Sequence, residues 1–198
     1  MSTPVTLAID TARERLQLAL VLSDGSVETE ICDIAKGHAE IIFPAIAALL
    51  DRCGSRYDRL DRIGVSTGPG SFTGLRIGLS AARGLGLARN IPVIGVPCLL
   101  ALSLSRPGPS ELILDAKRGE AYRQSFSAPG KPRDTADLVD LKQILQVTAR
   151  TIPDDPMIDI VLMAVFASRA RPADFPPDPT YIRAADAKPQ IGFGVAHQ

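Results

Sequence analysis

The chain has 198 residues, 45% apolar and 22% charged, with 22 basic residues balancing 22 acidic ones. That composition buries a core in one compact domain or two small lobes, and the even balance lacks the clustered Lys and Arg needed to hold a nucleic acid alone. Cys32, Cys53 and Cys98 are odd in number and widely spaced, which gives neither a disulfide framework nor a metal-binding pair; "MSTPVTLAID" has no basic start before a long apolar run, so the expected location is cytoplasmic, with no membrane contact.

"VTLAID", "LQLALVL" and "SVETEIC" are three short runs of strand-forming residues, the last two separated by the turn-forming pair Asp24-Gly25. "HAEIIFPAIAALLDRCG" places Ile42, Ala45, Ile46, Leu49 and Cys53 on one helical face and ends at Gly54, with Pro44 expected to bend it. A strand "RIGVST", a Gly-rich turn and helix, a strand "IPVIGV" and a helix "PCLLALSLS" follow. The order βββαβαβα predicts a ribonuclease-H-like lobe over residues 1–104.

The Pro- and Gly-punctuated linker "SRPGPS" then opens a smaller, degenerate lobe over residues 105–198. "LAIDTARERLQLAL" and "LILDAKRGEAYRQSF" share a strand ending in Asp, a short turn with a basic residue and a returning strand, a weak internal repeat suggesting duplication. "LVDLKQILQV" and "MIDIVLMAVFASRAR" read as helices, and "PADFPPDPTYIRAADAKPQ" as a Pro-rich tail.

The stretch "STGPGSFTGLRIGLSAARGLGLA" resembles a phosphate loop but lacks the lysine of GxxxxGK[ST] and the spacing of a dinucleotide fingerprint. What remains is a tight turn and a helix capped by Ser71, which serves either as a steric turn or as an anion site. Within the helix, Gly74, Gly78, Ala82 and Gly86 recur every fourth residue and form a strip almost without side chains. Each interior Gly costs about 1 kcal/mol relative to Ala, so close packing must offset it, against either the chain's own sheet or a partner.

"LAIDTA", "GPGSFTGLRIGL", "IPVIGV", "DAKRGEAY" and "YIRAADAKPQ" together resemble the TsaB (YeaZ) family, whose members act in making threonylcarbamoyladenosine in tRNA. The resemblance implies an α/β, actin-like (ASKHA) ATPase-type fold of two ribonuclease-H-like lobes. It also implies assembly with a catalytic TsaD-like paralogue and a TsaE-like ATPase, and tRNA contact only through the complex; whether the chain alone forms a homodimer stays open. The helices His38–Cys53 and Ser71–Arg89 are then expected to bundle with those of the partner, through His38, Ile41, Ile42, Ala45, Leu49, Gly74, Leu75, Gly78, Leu79, Ala82 and Gly86.

TsaD-like chains carry GVNHxxxH after the strand matching "IPVIGV"; here Cys98 and Leu102 stand where that His pair would be, which disfavours a metal site and a metallopeptidase reading. His38 and His197 have no neighbouring ligand cluster in the sequence. Asp10 and its repeat counterpart Asp115 end strands where actin-like ATPases place a catalytic carboxylate, although turn or capping roles fit them better. The expectation is a non-catalytic scaffold subunit without cofactor. The rival is an independent actin-like ATP-dependent phosphotransferase using Asp10, Gly68, Gly70 and Ser71.

Overall fold

The computed structural model describes residues 2–34, 36–148 and 156–182. The first two apolar runs form β1 (Thr6–Arg13) and β2 (Arg15–Val21), antiparallel and buried on both faces. The Asp24-Gly25 turn forms as predicted: the Asp24 carboxylate accepts from the backbone and hydroxyl of Ser26, and Gly25 adopts a φ of 89°. That turn returns β3 (Val27–Asp33) alongside β2. β4 (Arg62–Gly68) runs parallel to β1 and β5 (Val93–Pro97) parallel to β4, giving the order β3-β2-β1-β4-β5.

Alternation decides which residues face which layer. Leu7, Ile9, Leu16, Leu18, Leu20, Ile63 and Val65 face α1 (His38–Arg52) and α2 (Phe72–Arg89). Ala8, Ala19, Ile94 and Val96 face the opposite layer, with α3 (Cys98–Ser103) and α5 (Ile160–Arg169). α1 continues through Pro44 and closes at Gly54, whose φ of 59° lets Gly54 N–H reach Asp51 O and Ser55 N–H reach Leu50 O.

The second sheet is built on β6 (Ser110–Lys117) and β7 (Glu120–Ala128), with the short strands β8 (Lys131–Pro132) and β9 (Asp137–Asp140) paired to β7. The internal repeat has a structural counterpart. Asp10 Oδ1 accepts from Ala12 N–H at 3.0 Å and Asp115 Oδ1 from Lys117 N–H at 2.7 Å, and strand pairing slips register just past each aspartate.

Two expectations need correction. Leu138–Asp140 of "LVDLKQILQV" are not helical but pair with β7; α4 (Leu141–Thr148) starts after Asp140, whose carboxylate accepts from Gln143 N–H. α5, from the stretch assigned to the second lobe, packs on the five-stranded sheet, where Ala167 fills the space beside Gly64 that a Cβ would need. The packing units therefore do not follow the expected division at 104/105.

Beyond α5 the chain straps back across the first sheet. Phe175 stacks edge-on to Phe166, with ring centroids 5.1 Å apart, and its carbonyl accepts from Gly95 N–H. Thr180 N–H donates to Thr67 O at 2.8 Å, and Arg83 holds the Pro177 carbonyl and the Asp178 carboxylate. His197 and the "RAADAKPQ" part of the tail lie outside the described residues.

Candidate functional site

The turn before α2 is closed against the chain itself. Ser71 caps the helix, its hydroxyl accepting from Gly74 N–H at 3.2 Å, while its own N–H donates to Ala12 O at 2.7 Å. A Cβ on Gly70 would fall within 3.0 Å of Ala12 O, and one on Gly74 within 3.0 Å of Thr11 O. These glycines let the β1–β2 bend and the start of α2 touch backbone to backbone. Beside the turn, Gly70, Phe72, Leu75, Tyr122 and Thr180 enclose a cavity of about 180 Å³, smaller than the roughly 300 Å³ at which small-molecule sites begin.

Asp10 is buried, with one carboxylate oxygen accepting from Ala12 N–H and the other from Gln17 Nε2. Asp115 accepts from the Lys117 side chain and N–H, which together hold its carboxyl below the ordinary range. Both aspartates thus act as turn acceptors. Cys98 and Leu102 are buried, and burial, followed by the nearby Asp10 charge, pushes the Cys98 thiol up to about 12. His38 is buried at the head of α1, where its Nε2 meets no hydrogen-bond partner among the described residues. Among those residues no three His, Cys, Asp or Glu side chains gather as metal ligands, and no helix is long and apolar enough to cross a membrane.

The expected contact residues are largely consumed by the chain's own core. A Cβ on Gly78 would meet Thr11 Oγ1 and one on Gly86 would meet Val93 Cγ2, each within 3.0 Å, so the small-residue strip faces β1 and β5. His38, Ile42, Leu49, Gly74, Leu75, Leu79 and Ala82 are buried, and Ile41 and Ala45 are half-buried against the same core. The correction has a simple cause: the continuous small or apolar face of a helix is the face its own sheet claims first.

What α1 and α2 leave outside is a groove of about 510 Å³ between them. Phe43 and Phe72 flank it, 47% and 59% exposed, and Ala39, Ile42, Thr73, Arg76, Ile77, Ser80 and Ala81 complete its walls, so that Ile42 of the expected contact residues also reaches the groove. The Arg76 guanidinium lies 3.7 Å above the centre of the Phe72 ring. Phe43 and Phe72 escaped the sequence reading because they fall outside the core stripe. Large aromatics out of phase with an amphipathic stripe are the signal that would have found them.

A five-stranded mixed sheet covered by helices on both faces, a second sheet and a repeated strand–Asp–turn–strand unit define a mixed α/β chain of the TsaD type. The family model for TsaD, tRNA N6-adenosine threonylcarbamoyltransferase, matches residues 32–181. The chain is 35% identical over 121 residues to tRNA threonylcarbamoyladenosine biosynthesis protein TsaB of Escherichia coli, a match covering 59% of this chain and 52%, about half, of that relative. An uncharacterised protein of Mycobacterium tuberculosis is 33% identical over 92% of this chain and 93% of its own length. YeaZ from Pseudomonas aeruginosa has the same fold, with a TM-score of 0.73 at 24% identity over 90% of this chain and 99% of that one. The chain belongs to the TsaB/YeaZ family.

Proposed function

We propose that the chain is a non-catalytic, cytoplasmic subunit of a tRNA-modifying assembly that makes threonylcarbamoyladenosine, and that it docks a TsaD-like transferase through the α1–α2 groove. A TsaE-like ATPase joins the same assembly, and tRNA meets the assembly rather than this chain alone. Without the transferase, the groove holds a second copy. The observation that carries the reading is the pair of exposed phenylalanines flanking one unfilled groove; Ile31, Leu87, Met157 and Tyr181 are exposed as well, but none of them lines it. Family membership supports the pathway. The closed Gly70–Ala12 approach and the small cavity beside it count against the phosphotransferase alternative.

The test is calorimetric titration against a purified TsaD-like protein. Full burial of a Phe side chain contributes up to about 3 kcal/mol, so covering the exposed half of Phe43 or Phe72 contributes about 1–1.5 kcal/mol. Phe43→Ala and Phe72→Ala should therefore each weaken association about tenfold with unchanged melting temperature. Steady ATP hydrolysis by the pure chain, or full-strength association of the double variant, would refute the proposal.

A further inference from the structure

We infer that the outer face of α5 pairs with the same face of a second copy of the chain, the two helices running antiparallel; this surface lies apart from the α1–α2 groove and does not depend on what docks there. α5 is apolar on both of its faces. Ile160, Met163, Ala164 and Ala167 are buried in the core beneath it. The side turned away carries Leu162, Val165 and Phe166, which with Leu104, Phe175 and Arg169 line a groove of about 330 Å³. A helix at a protein surface ordinarily turns polar residues outward, and one that is apolar all round is covered on both sides. Arg169 is the one charged residue among those lining this groove.

The charges of α5 stand at its two ends. Asp159, the N-cap, is exposed, and one of its carboxylate oxygens accepts from Leu162 N–H at 3.0 Å. Arg169 is exposed in the last turn. Counted from Ala164, Asp159 and Arg169 lie five residues to either side, and Leu162 and Phe166 two to either side. At 3.6 residues per turn all four fall on the arc opposite the buried residues.

A two-fold axis level with Ala164 therefore lays Leu162 of one copy against Phe166 of the other, and sets Asp159 of each beside Arg169 of its mate. The two charges are about 15 Å apart along the helix, at 1.5 Å per residue, so both ion pairs form in one register. The antiparallel arrangement also opposes the helix dipoles, whereas a parallel one sets like charges together at each end. The complement that this face requires is an apolar stripe with acid and base in the reverse order, and the chain itself supplies it. That singles out a second copy over an unrelated protein. A contact one ten-residue helix wide per side falls short of the roughly 800 Å² per partner of a standard interface, so the association is weak and shows itself at high protein concentration.

The experiment is sedimentation of the full chain at rising concentration, with Phe43→Asp present throughout so that the α1–α2 groove contributes nothing, and with melting temperature followed for every variant. A dimer that weakens as salt rises is expected. Arg169→Glu, at an exposed position, should leave folding unchanged and weaken the dimer about tenfold or more, because it turns two attractive pairs into two repulsive ones. Asp159→Arg gives up the helix cap, lowering the melting temperature, and should weaken the dimer likewise. An equimolar mixture of these two variants sets opposite charges together at both ends again and should associate as the unmutated pair does. A chain that stays monomeric, a dimer that Arg169→Glu leaves intact, or a mixture that does not regain association overturns the inference. It is overturned equally if the chain stays monomeric and, without Phe43→Asp, Arg169→Glu weakens binding to a TsaD-like protein, which assigns the face to a different protein.

Discussion

Replacing Gly78 by Ala should destabilise the chain even though alanine is the better helix former. The substitution gains about 1 kcal/mol of helix propensity. Against that, the new methyl group lands on Thr11 Oγ1, whose hydroxyl donates to Gly74 O at 2.7 Å in a fully buried position. Forcing β1 and α2 apart costs about 2 kcal/mol as overpacking, and stranding the Thr11 hydroxyl about 1 kcal/mol more. The net loss is about 2 kcal/mol, a fall in melting temperature of roughly 4–8 °C for a chain of this size. Gly84→Ala on the same helix is the control: nothing lies within 4 Å of its added Cβ, so it should stabilise by about 1 kcal/mol. Thermal and urea unfolding of both variants, with Thr11→Ala added to Gly78→Ala, measures the coupling. Thr11→Ala removes the clashing hydroxyl, so the double variant should be more stable than the sum of the single effects predicts. Equal stabilisation by Gly78→Ala and Gly84→Ala would show that the strip does not pack on β1.

Cys98 should resist alkylation at pH 8 in the native state, and stability should fall with alkali. Its folded pKa of about 12 lies above the ordinary 9.0, so the unfolded chain ionises first; the thiol's contribution is intact below pH 9 and declines by about 1.4 kcal/mol per unit up to about pH 12. Mass spectrometry of iodoacetamide-treated protein checks the first point, and loss of the alkaline slope in Cys98→Ala checks the second. Phe175→Ala should cost about 2 kcal/mol, less than the ~3–5 kcal/mol of a fully buried phenylalanine because Phe175 is half-buried; urea unfolding would refute this if the midpoint did not move.

The alternation of "VTLAID" and "LQLALVL", the Asp24-Gly25 turn and the Ser71 cap are local signals, and each acts in the fold as its residues direct. The facing of the glycine strip was not legible in the same way. Periodicity shows that a smooth surface exists, whereas the neighbour that claims it, Thr11, is 67 residues away from Gly78 in sequence and reaches it only through the parallel pairing of β1 and β4. β9 eluded the reading for a related reason: Leu138–Asp140 can be drawn into a helix or onto the edge of β7, and only the folded edge decides. The candidate contact residues were only partly legible for the same cause, Ile42 alone of them lining the α1–α2 groove. Residues chosen for their apolar regularity went to the core, and the two aromatics that break that regularity mark the surface.

The two ends of the five-stranded sheet shape how the molecule meets other chains. The outer strand β3 carries Glu28, Glu30 and Asp33, charges that repel an incoming backbone. At the opposite end, the outward N–H of Gly95 on β5 is already taken by the Phe175 carbonyl, and Pro176 lies over it. Strand-by-strand growth, the route by which sheets run on into open-ended fibres, is thereby discouraged at both ends. On the proposed docking reading, contact falls instead on the helical side, where a groove filled once would offer nothing further, so association there would saturate rather than propagate.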